Sequence, residues 1–303
     1  MKECRQCPRA CGADREEKLG FCGAPAEFRV ARAALHPWEE PCISGDRGSG
    51  TLFFCGCNLR CVFCQNREIS HGREGGVRVS EEELVGIMLR LQQEGAANVN
   101  LVTPTQYARQ LAPVLREARR ELRIPVVYNC GGYESVETLR ELEGLVDVYL
   151  PDCKYYSPEL SALYSSAPDY FSVAEDALAE MLRQTGAPLM GGDGLLKKGV
   201  LLRHLVLPGC REDSVALLNR LSERFGNRAF LLSLMSQYTP EFASADAPKN
   251  LRRRLTSFEY DRVLEEALRL GFEGYLQERS SATSVYTPDF RGEGRESVER
   301  RLC

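Results

Sequence analysis

From Thr51 onward, short runs of β-branched and aromatic residues alternate with stretches whose apolar positions recur at helical spacing. That alternation is the pattern of repeated βα units around a parallel sheet. It predicts strands at 51–55 (TLFFC), 98–102 (NVNLV), 125–129 (PVVYN), 146–150 (VDVYL), 200–206 (VLLRHLV) and 229–235 (AFLLSLM), about six units in all. The helices between them carry their own punctuation. Ser80 with Glu83 forms a capping-box start, and Leu84, Ile87, Met88 and Leu91 follow on one face. Thr256 with Glu259 opens the last helix, whose Val263, Leu264, Ala267 and Leu268 run to Gly271, a residue suited to a left-handed cap.

The flanks read differently. Residues 1–25 carry cysteines, glycines and charges but almost no large hydrophobes, so they cannot build a core alone. Residues 26–49 read as an irregular or short-stranded connection ending in the turn-rich SGDRGSG. The end, RGEGRESVERRLC, is charged and glycine-containing, the composition of a mobile tail. The expected organisation is a cysteine-rich segment at 1–45, a barrel at 46–280 and a tail at 281–303.

A chain of 303 residues can form one α/β barrel. Its net charge of −4 provides no basic footprint, so neither nucleic acid nor an anionic membrane is implied as a partner. No apolar run has the length of a membrane-spanning helix, and the polar start MKECRQCPRACG does not resemble a signal sequence, which points to the cytoplasm. Thirteen cysteines is a high and odd count there, and close spacing in a reducing compartment suggests metal or redox chemistry rather than disulfides.

Cys57, Cys61 and Cys64 form C-x3-C-x2-C directly behind the first barrel strand, with Cys55 two residues upstream. Four thiolates would make a closed, structural zinc site; three would leave a vacancy of the kind an iron–sulfur cluster can offer a ligand. The run contains only one C-x2-C pair, and Cys55 belongs to the strand below the loop. The pattern therefore reads as three ligands and a bystander.

In a parallel barrel, functional groups gather where strands end at their C-terminal side. Those positions hold Thr103 and Thr105, then Asn129 with Gly131 and Gly132, then Asp152 and Lys154, then Gln237 and Tyr238. Alternation puts Arg203 and His204 on opposite faces of the fifth strand, so one of them should face the lumen. Plain roles compete with each functional one: tight turns for the glycines, a solvated pair for Asp152 and Lys154, packing for His204, Gln237 and Tyr238. At the N-terminus Cys4, Cys7, Cys11 and Cys22 supply a complete four-thiolate set, for zinc or for an auxiliary iron–sulfur cluster. His36 and Cys42 are alternative contributors to that site, while Cys210 and Cys303 read as ordinary thiols.

The loop CNLRCVFC, with Phe63 as the aromatic before its last cysteine, resembles the cluster loop of the radical SAM superfamily. The segments HPWEEPCISG, GSGTLFFCGCNLRCVFCQN, NLVTPTQY, VVYNCGGYE, VDVYLPDCKY, RHLVLPG and MSQYTP, in this order, resemble homologues of pyruvate formate-lyase-activating enzyme. The resemblance implies a partial (β/α)6 barrel and a 4Fe-4S cluster held by Cys57, Cys61 and Cys64, with S-adenosylmethionine (SAM) on the fourth iron. It implies reductive cleavage of SAM to a 5′-deoxyadenosyl radical, which abstracts hydrogen from a protein glycine, a peptide or a small molecule. A reductant such as flavodoxin or ferredoxin follows as a partner. Phe63, Asn66, Thr103, Thr105, Asn129, Gly131, Asp152 and Lys154 are the implied cofactor contacts, with Lys154, Asp152, His204 and Arg203 as catalytic candidates. The chain lacks the Gly-Gly-Glu-Pro motif that other superfamily members carry after the second strand, which leaves the methionine amine without an assigned partner. Cys55, Cys130 and Cys153 stand where serine, threonine or small residues are common in the resembling group. A different class remains open at this level: a non-catalytic iron–sulfur or zinc protein that uses the barrel as scaffold.

Overall fold

The computed structural model describes residues 3–71, 75–277, 288–290 and 292–302. Its strands are β1 (Phe28–His36), β2 (Ser49–Phe54), β3 (Val77–Val79), β4 (Val99–Val102), β5 (Val126–Cys130), β6 (Val148–Pro151), β7 (Leu189–Met190), β8 (Leu196–Leu205), β9 (Leu231–Met235) and β10 (Gly274–Leu276). Its helices are α1 (Pro41–Ser44), α2 (Arg67–Ser70), α3 (Glu81–Gln93), α4 (Ala108–Ala118), α5 (Val136–Glu141), α6 (Pro158–Ser165), α7 (Tyr170–Thr185), α8 (Arg211–Phe225), α9 (Ser257–Leu270) and α10 (Gly292–Glu299).

The strands lie in the order β10-β9-β8-β6-β5-β4-β2-β1-β3, with β7 paired to β8. From β2 to β10 every neighbour along that order is parallel; β1 runs antiparallel to both β2 and β3, and β7 antiparallel to β8. The six expected strands are β2, β4, β5, β6, β8 and β9, adjacent in chain order, so the fold is the expected α/β partial barrel. Among the described residues the sheet stays open, with β10 at one edge and β3 at the other.

Alternation along the strands separates two cores. Val127, Val148, Leu150 and Leu201 point inward and pack on Cys42 and Ile43 of α1, which plugs the lower lumen. Tyr128, Tyr149, Val200 and Leu202 point outward into the larger core under the helices. Helix starts follow the local chemistry: Ser80 Oγ accepts from Glu83 N at 3.1 Å while Ser80 N donates to Glu83 Oε2 at 2.7 Å. Thr256 and Glu259 form the same box on α9, and Gly271 caps it with φ 75°.

Two flanking expectations are corrected. The stretch expected to be irregular or short-stranded contains the nine-residue β1, longer than a short connection strand, which pairs with β2. A register shift between Val30 and Arg32 breaks its apolar alternation and buries Ala31 next to Val30, which hides the strand from a period-two reading. The boundary expected at residue 45 therefore falls inside this antiparallel pair.

The tail is not loose either. β3 pairs only with Phe28, Arg29 and Val30, so the far half of β1 would leave backbone groups open. Helix α10 covers them: Ala33 N donates to Ser297 Oγ at 3.0 Å, Arg301 donates to Ala33 O at 2.7 Å, and Val298 is fully buried. Residues 278–280 of the expected barrel and residues 281–287, 291 and Cys303 of the expected tail lie outside the described residues.

Behind β5, the buried Glu134 carboxyl accepts from Thr105 Oγ1 at 2.6 Å and from Tyr128 OH at 3.1 Å. Burial pushes it up to about 7 against those hydrogen bonds.

Two tests follow from this packing. Val298→Asp should lower unfolding free energy by roughly 3 kcal/mol or more, read by urea titration, because a lone carboxylate would sit against β1. Glu134 binds its proton more tightly folded than unfolded, so its contribution weakens as pH rises from about 4.5 to about 7. The stability advantage of wild type over Glu134→Gln should therefore shrink by on the order of 3 kcal/mol across that window. A pH-independent difference would show the carboxyl ionised throughout.

Candidate functional site

The strand register brings the polar strand ends together. Val102 pairs with Asn129 and Asn129 with Leu150, while Asp152 forms a parallel bridge to Arg203. Thr103 N donates to Asn129 O at 2.8 Å, and Cys153 N donates to Arg203 O at 2.8 Å. Above these ends lies a cavity of about 260 Å3, bordered by Cys57, Cys61, Phe63, Cys64, Asn66, Thr103, Asn129, Gly131, Asp152, Lys154 and Arg203. Trp38, Glu39, Glu40, Gln237, Tyr238 and Phe242 complete much of its wall.

The three thiols of C-x3-C-x2-C share one side. Ser165 Oγ donates to Cys61 Sγ at 2.9 Å, the Cys64 thiol and the Ser70 hydroxyl lie 3.2 Å apart, and Leu59 N donates to Cys57 Sγ at 3.4 Å. Burial pushes Cys57 up to about 11 and Cys64 up to about 12, with the neighbouring thiols adding to it. Free Cys57 and Cys64 are therefore protonated at neutral pH, and a metal must displace those protons. Phe63 is wedged edge-on among Tyr155, Tyr164 and Tyr238. Cys55 is elsewhere: it packs with Ala31, Phe53, Ile69 and Val102, and a Cβ on Gly76 would touch its sulfur at 2.6 Å.

Opposite the thiols runs an alternating chain of charge. Lys154 Nζ meets Asp152 Oδ2 at 2.5 Å, Arg203 Nε meets Asp152 Oδ1 at 2.9 Å, and a second Arg203 nitrogen donates to Asn129 Oδ1 at 2.6 Å. The far side of Arg203 faces Glu39 Oε2 at 3.6 Å. Burial alone would push the Asp152 carboxyl up, but the charges of Arg203 and Lys154 hold it below the usual carboxylate range. Burial likewise opposes the charge on Lys154, yet Asp152 raises its pKa above the ordinary lysine value.

Several expectations separate here. Arg203 takes the lumen face with Leu201, and His204 goes outward with Leu202, so His204 does not border the cavity. Its Nδ1 lies 2.6 Å from Cys153 O, and burial lowers its pKa, the environment of a core imidazole. Thr105 turns away to Glu134. Thr103 stays at the cavity and adopts φ 55°, a strained conformation for a β-branched residue. Gly131 admits Leu59, whose methyl would lie 2.7 Å from an added Cβ. His36 borders the cavity and Cys42 belongs to the lower lumen core.

Glu39 is the residue that sequence reasoning missed. It precedes α1, accepts from Asn100 Nδ2 at 3.1 Å and Asn129 Nδ2 at 3.4 Å, and leaves only 9% of its side chain exposed. Burial pushes it up to about 7 against the pull of Arg203. The signal was the paired acid in HPWEEP, two ionisable residues held between apolar and proline positions.

Among the described residues no three Cys, His, Asp or Glu side chains converge tightly enough to hold a single metal ion. Three thiols on one loop facing a cavity with a fixed cation and carboxylate opposite remain a donor set suited to an iron–sulfur cluster with an open iron.

Comparison with known proteins agrees with this chemistry. Residues 51–198, which run from β2 to β8, match the model of the radical SAM superfamily. An uncharacterized protein of Methanocaldococcus jannaschii is 31% identical over 281 residues, covering 88% of this chain and 75% of its own length. The solved methylornithine synthase superposes with a TM-score of 0.49 at 16% identity, over 83% of this chain and 80% of that one. Streptococcus suis SuiB bound to precursor peptide SuiA gives 0.49 at 14% identity over 73% of this chain, which spans only 46% of SuiB. The family match covers β4, β5 and β6, whose ends border the cavity, and the loop that carries its three thiols: residues 51–198 of the chain are a radical SAM superfamily domain.

Proposed function

We propose that Cys57, Cys61 and Cys64 hold the 4Fe-4S cluster that the family implies, and that the charged rim opposite them seats SAM. The observation that carries this reading is that three thiols and the Asp152–Lys154–Arg203 chain border one cavity. Held by Cys57, Cys61 and Cys64 and reduced by a donor such as flavodoxin or ferredoxin, a 4Fe-4S cluster would supply the electron for cleavage of SAM to methionine and a 5′-deoxyadenosyl radical.

The residues of the chain then have distinct tasks. Lys154 offers its ammonium to the methionine carboxylate, while Asp152 fixes that ammonium and the Arg203 guanidinium at once. Asn129, whose amide is oriented by Arg203 and Glu39, presents a polar contact at the same rim. Phe63, Asn66, Thr103 and Gly131 border the space left for the rest of SAM. The Gly-Gly-Glu-Pro motif is absent, and Glu39 or Glu40 is the carboxylate available on this wall for an amine.

Hydrogen-atom abstraction from a partner-protein glycine, as an activase performs, or from a peptide or small molecule, is the reaction this site would serve. A protein substrate would reach this recess above the strand ends as one extended segment rather than as a folded surface. Trp38, Tyr238 and Phe242 give such a segment aromatic walls.

Anaerobically reconstituted protein mixed with dithionite and SAM should release 5′-deoxyadenosine, measured by liquid chromatography. Alanine at Cys57, Cys61 or Cys64 should abolish the release, and Cys55→Ala should keep it. A reducible cluster that yields none would sink the enzymatic reading, and loss with Cys55→Ala would require a fourth thiolate. Lys154→Ala should weaken SAM binding roughly 10- to 100-fold in equilibrium dialysis, the worth of one charged hydrogen bond.

A further inference from the structure

The four N-terminal cysteines are outside the cavity, yet the backbone ties them into one knot. Cys4 N donates to Ala13 O at 3.0 Å and Gly12 N returns a bond to Cys4 O at 3.0 Å, which folds Cys11 back beside Cys4. Ala10 N donates to Cys7 O at 2.9 Å, closing the turn between, with Ala10 and Gly12 both at positive φ. The other limb arrives at the same place. A Cβ on Gly20 would lie 2.7 Å from Cys11 Sγ, and Gly23 N donates to Gly20 O at 3.1 Å around Cys22. Cys22 lies within electrostatic reach of Cys4 and Cys11, and Cys7 within reach of Cys4 and Cys22.

Two of these sulfurs already receive backbone donors two residues on, Cys7 from Arg9 and Cys22 from Ala24. The segment has little else to hold it. Phe21 sits under the guanidinium of Arg9 at 4.0 Å and that of Arg60 at 5.1 Å, and the remaining anchors are polar, such as Gln6 to Gln106 O at 2.8 Å. Cys4 and Cys22 are nonetheless buried.

The knot presses on the cavity loop. Cys57 N donates to Cys22 O at 3.1 Å, and a Cβ on Gly56 would lie 2.8 Å from that carbonyl, so Gly56 is needed there at φ 86°. Arg9 Nε donates to Asn58 O at 2.9 Å on the same loop.

We propose that Cys4, Cys7, Cys11 and Cys22 form a second, closed four-thiolate metal site that braces the loop bearing Cys57. No three of the thiols converge on one point as they stand, so the proposed shell requires the metal to draw the four side chains together on the hydrogen-bonded backbone of this segment. A complete shell leaves no open coordination position, which makes the site structural rather than catalytic. It stands independently of what the cavity thiols hold.

The test uses the full chain with Cys57→Ala, Cys61→Ala and Cys64→Ala, so that any metal found belongs elsewhere. Elemental analysis should find about one zinc per chain after growth with zinc, or about four irons after anaerobic reconstitution, and the two arms separate the metals. Cobalt(II) titration should give thiolate-to-metal charge-transfer absorption. Adding Cys11→Ser, a change at an exposed thiol, should weaken cobalt binding by at least about tenfold, and Cys210→Ser should not. Metal binding should slow hydrogen exchange at the backbone amide of position 57, which the substitution leaves in place. Background metal in the triple variant, or full binding after Cys11→Ser, would overturn the site. Unchanged exchange at the position 57 amide would overturn the brace.

Discussion

A carboxylate under a cavity floor must be paired or give up its charge, and Asp152 is paired twice. Lys154 and Arg203 take one oxygen each, so the aspartate stays ionised although burial alone would neutralise it. Much else follows from that double pairing. Arg203 must face the lumen, which sends His204 into the helical core. The parallel bridge between Asp152 and Arg203 continues the pairing of β6 with β8 to its upper end. Arg203 has nitrogens left over, and these orient Asn129 and draw Glu39 up from α1. One ion triplet thus joins three strands and the lumen plug.

The sulfur side is organised by packing rather than charge. Tyr155 and Tyr164 back Phe63, and Tyr155 OH lies 2.8 Å from the Ser165 hydroxyl that reaches Cys61. An aromatic floor with a few hydroxyls lets a loop of mostly irregular backbone keep its thiols on one side. Thr103, strained at the opposite rim, marks where backbone conformation has been set by the cavity rather than by local preference.

The sequence made the barrel legible because its strands are buried on both faces and read as short apolar runs, and because capping boxes at Ser80 and Thr256 punctuate the helices. The thiols and the Asp152–Lys154 pair were legible by spacing and by position at strand ends. What was hidden depended on contacts distant in the chain. Glu39 gains its meaning only from Arg203 and Asn129, far along the sequence. Thr105 sits two residues from Thr103, yet a single helical turn of Thr105–Tyr107 sends it to the other face. β1 was masked by a register shift, and α10 by a composition in which only Gly294, Ser297 and Val298 turn toward the protein.

The sheet never closes among the described residues: β3 and β10 end it without meeting. In a sealed barrel every strand is clamped on both sides, and widening the mouth would break a ladder of hydrogen bonds. Here the two edges can spread by bending the sheet, with the ladders intact and only side-chain contacts exchanged. The seam is therefore a mechanical compliance built into the scaffold. The cross-links that would resist such spreading lie in the interior of the sheet, where Asp152, Lys154 and Arg203 join β6 to β8 and Arg203 reaches Asn129 of β5.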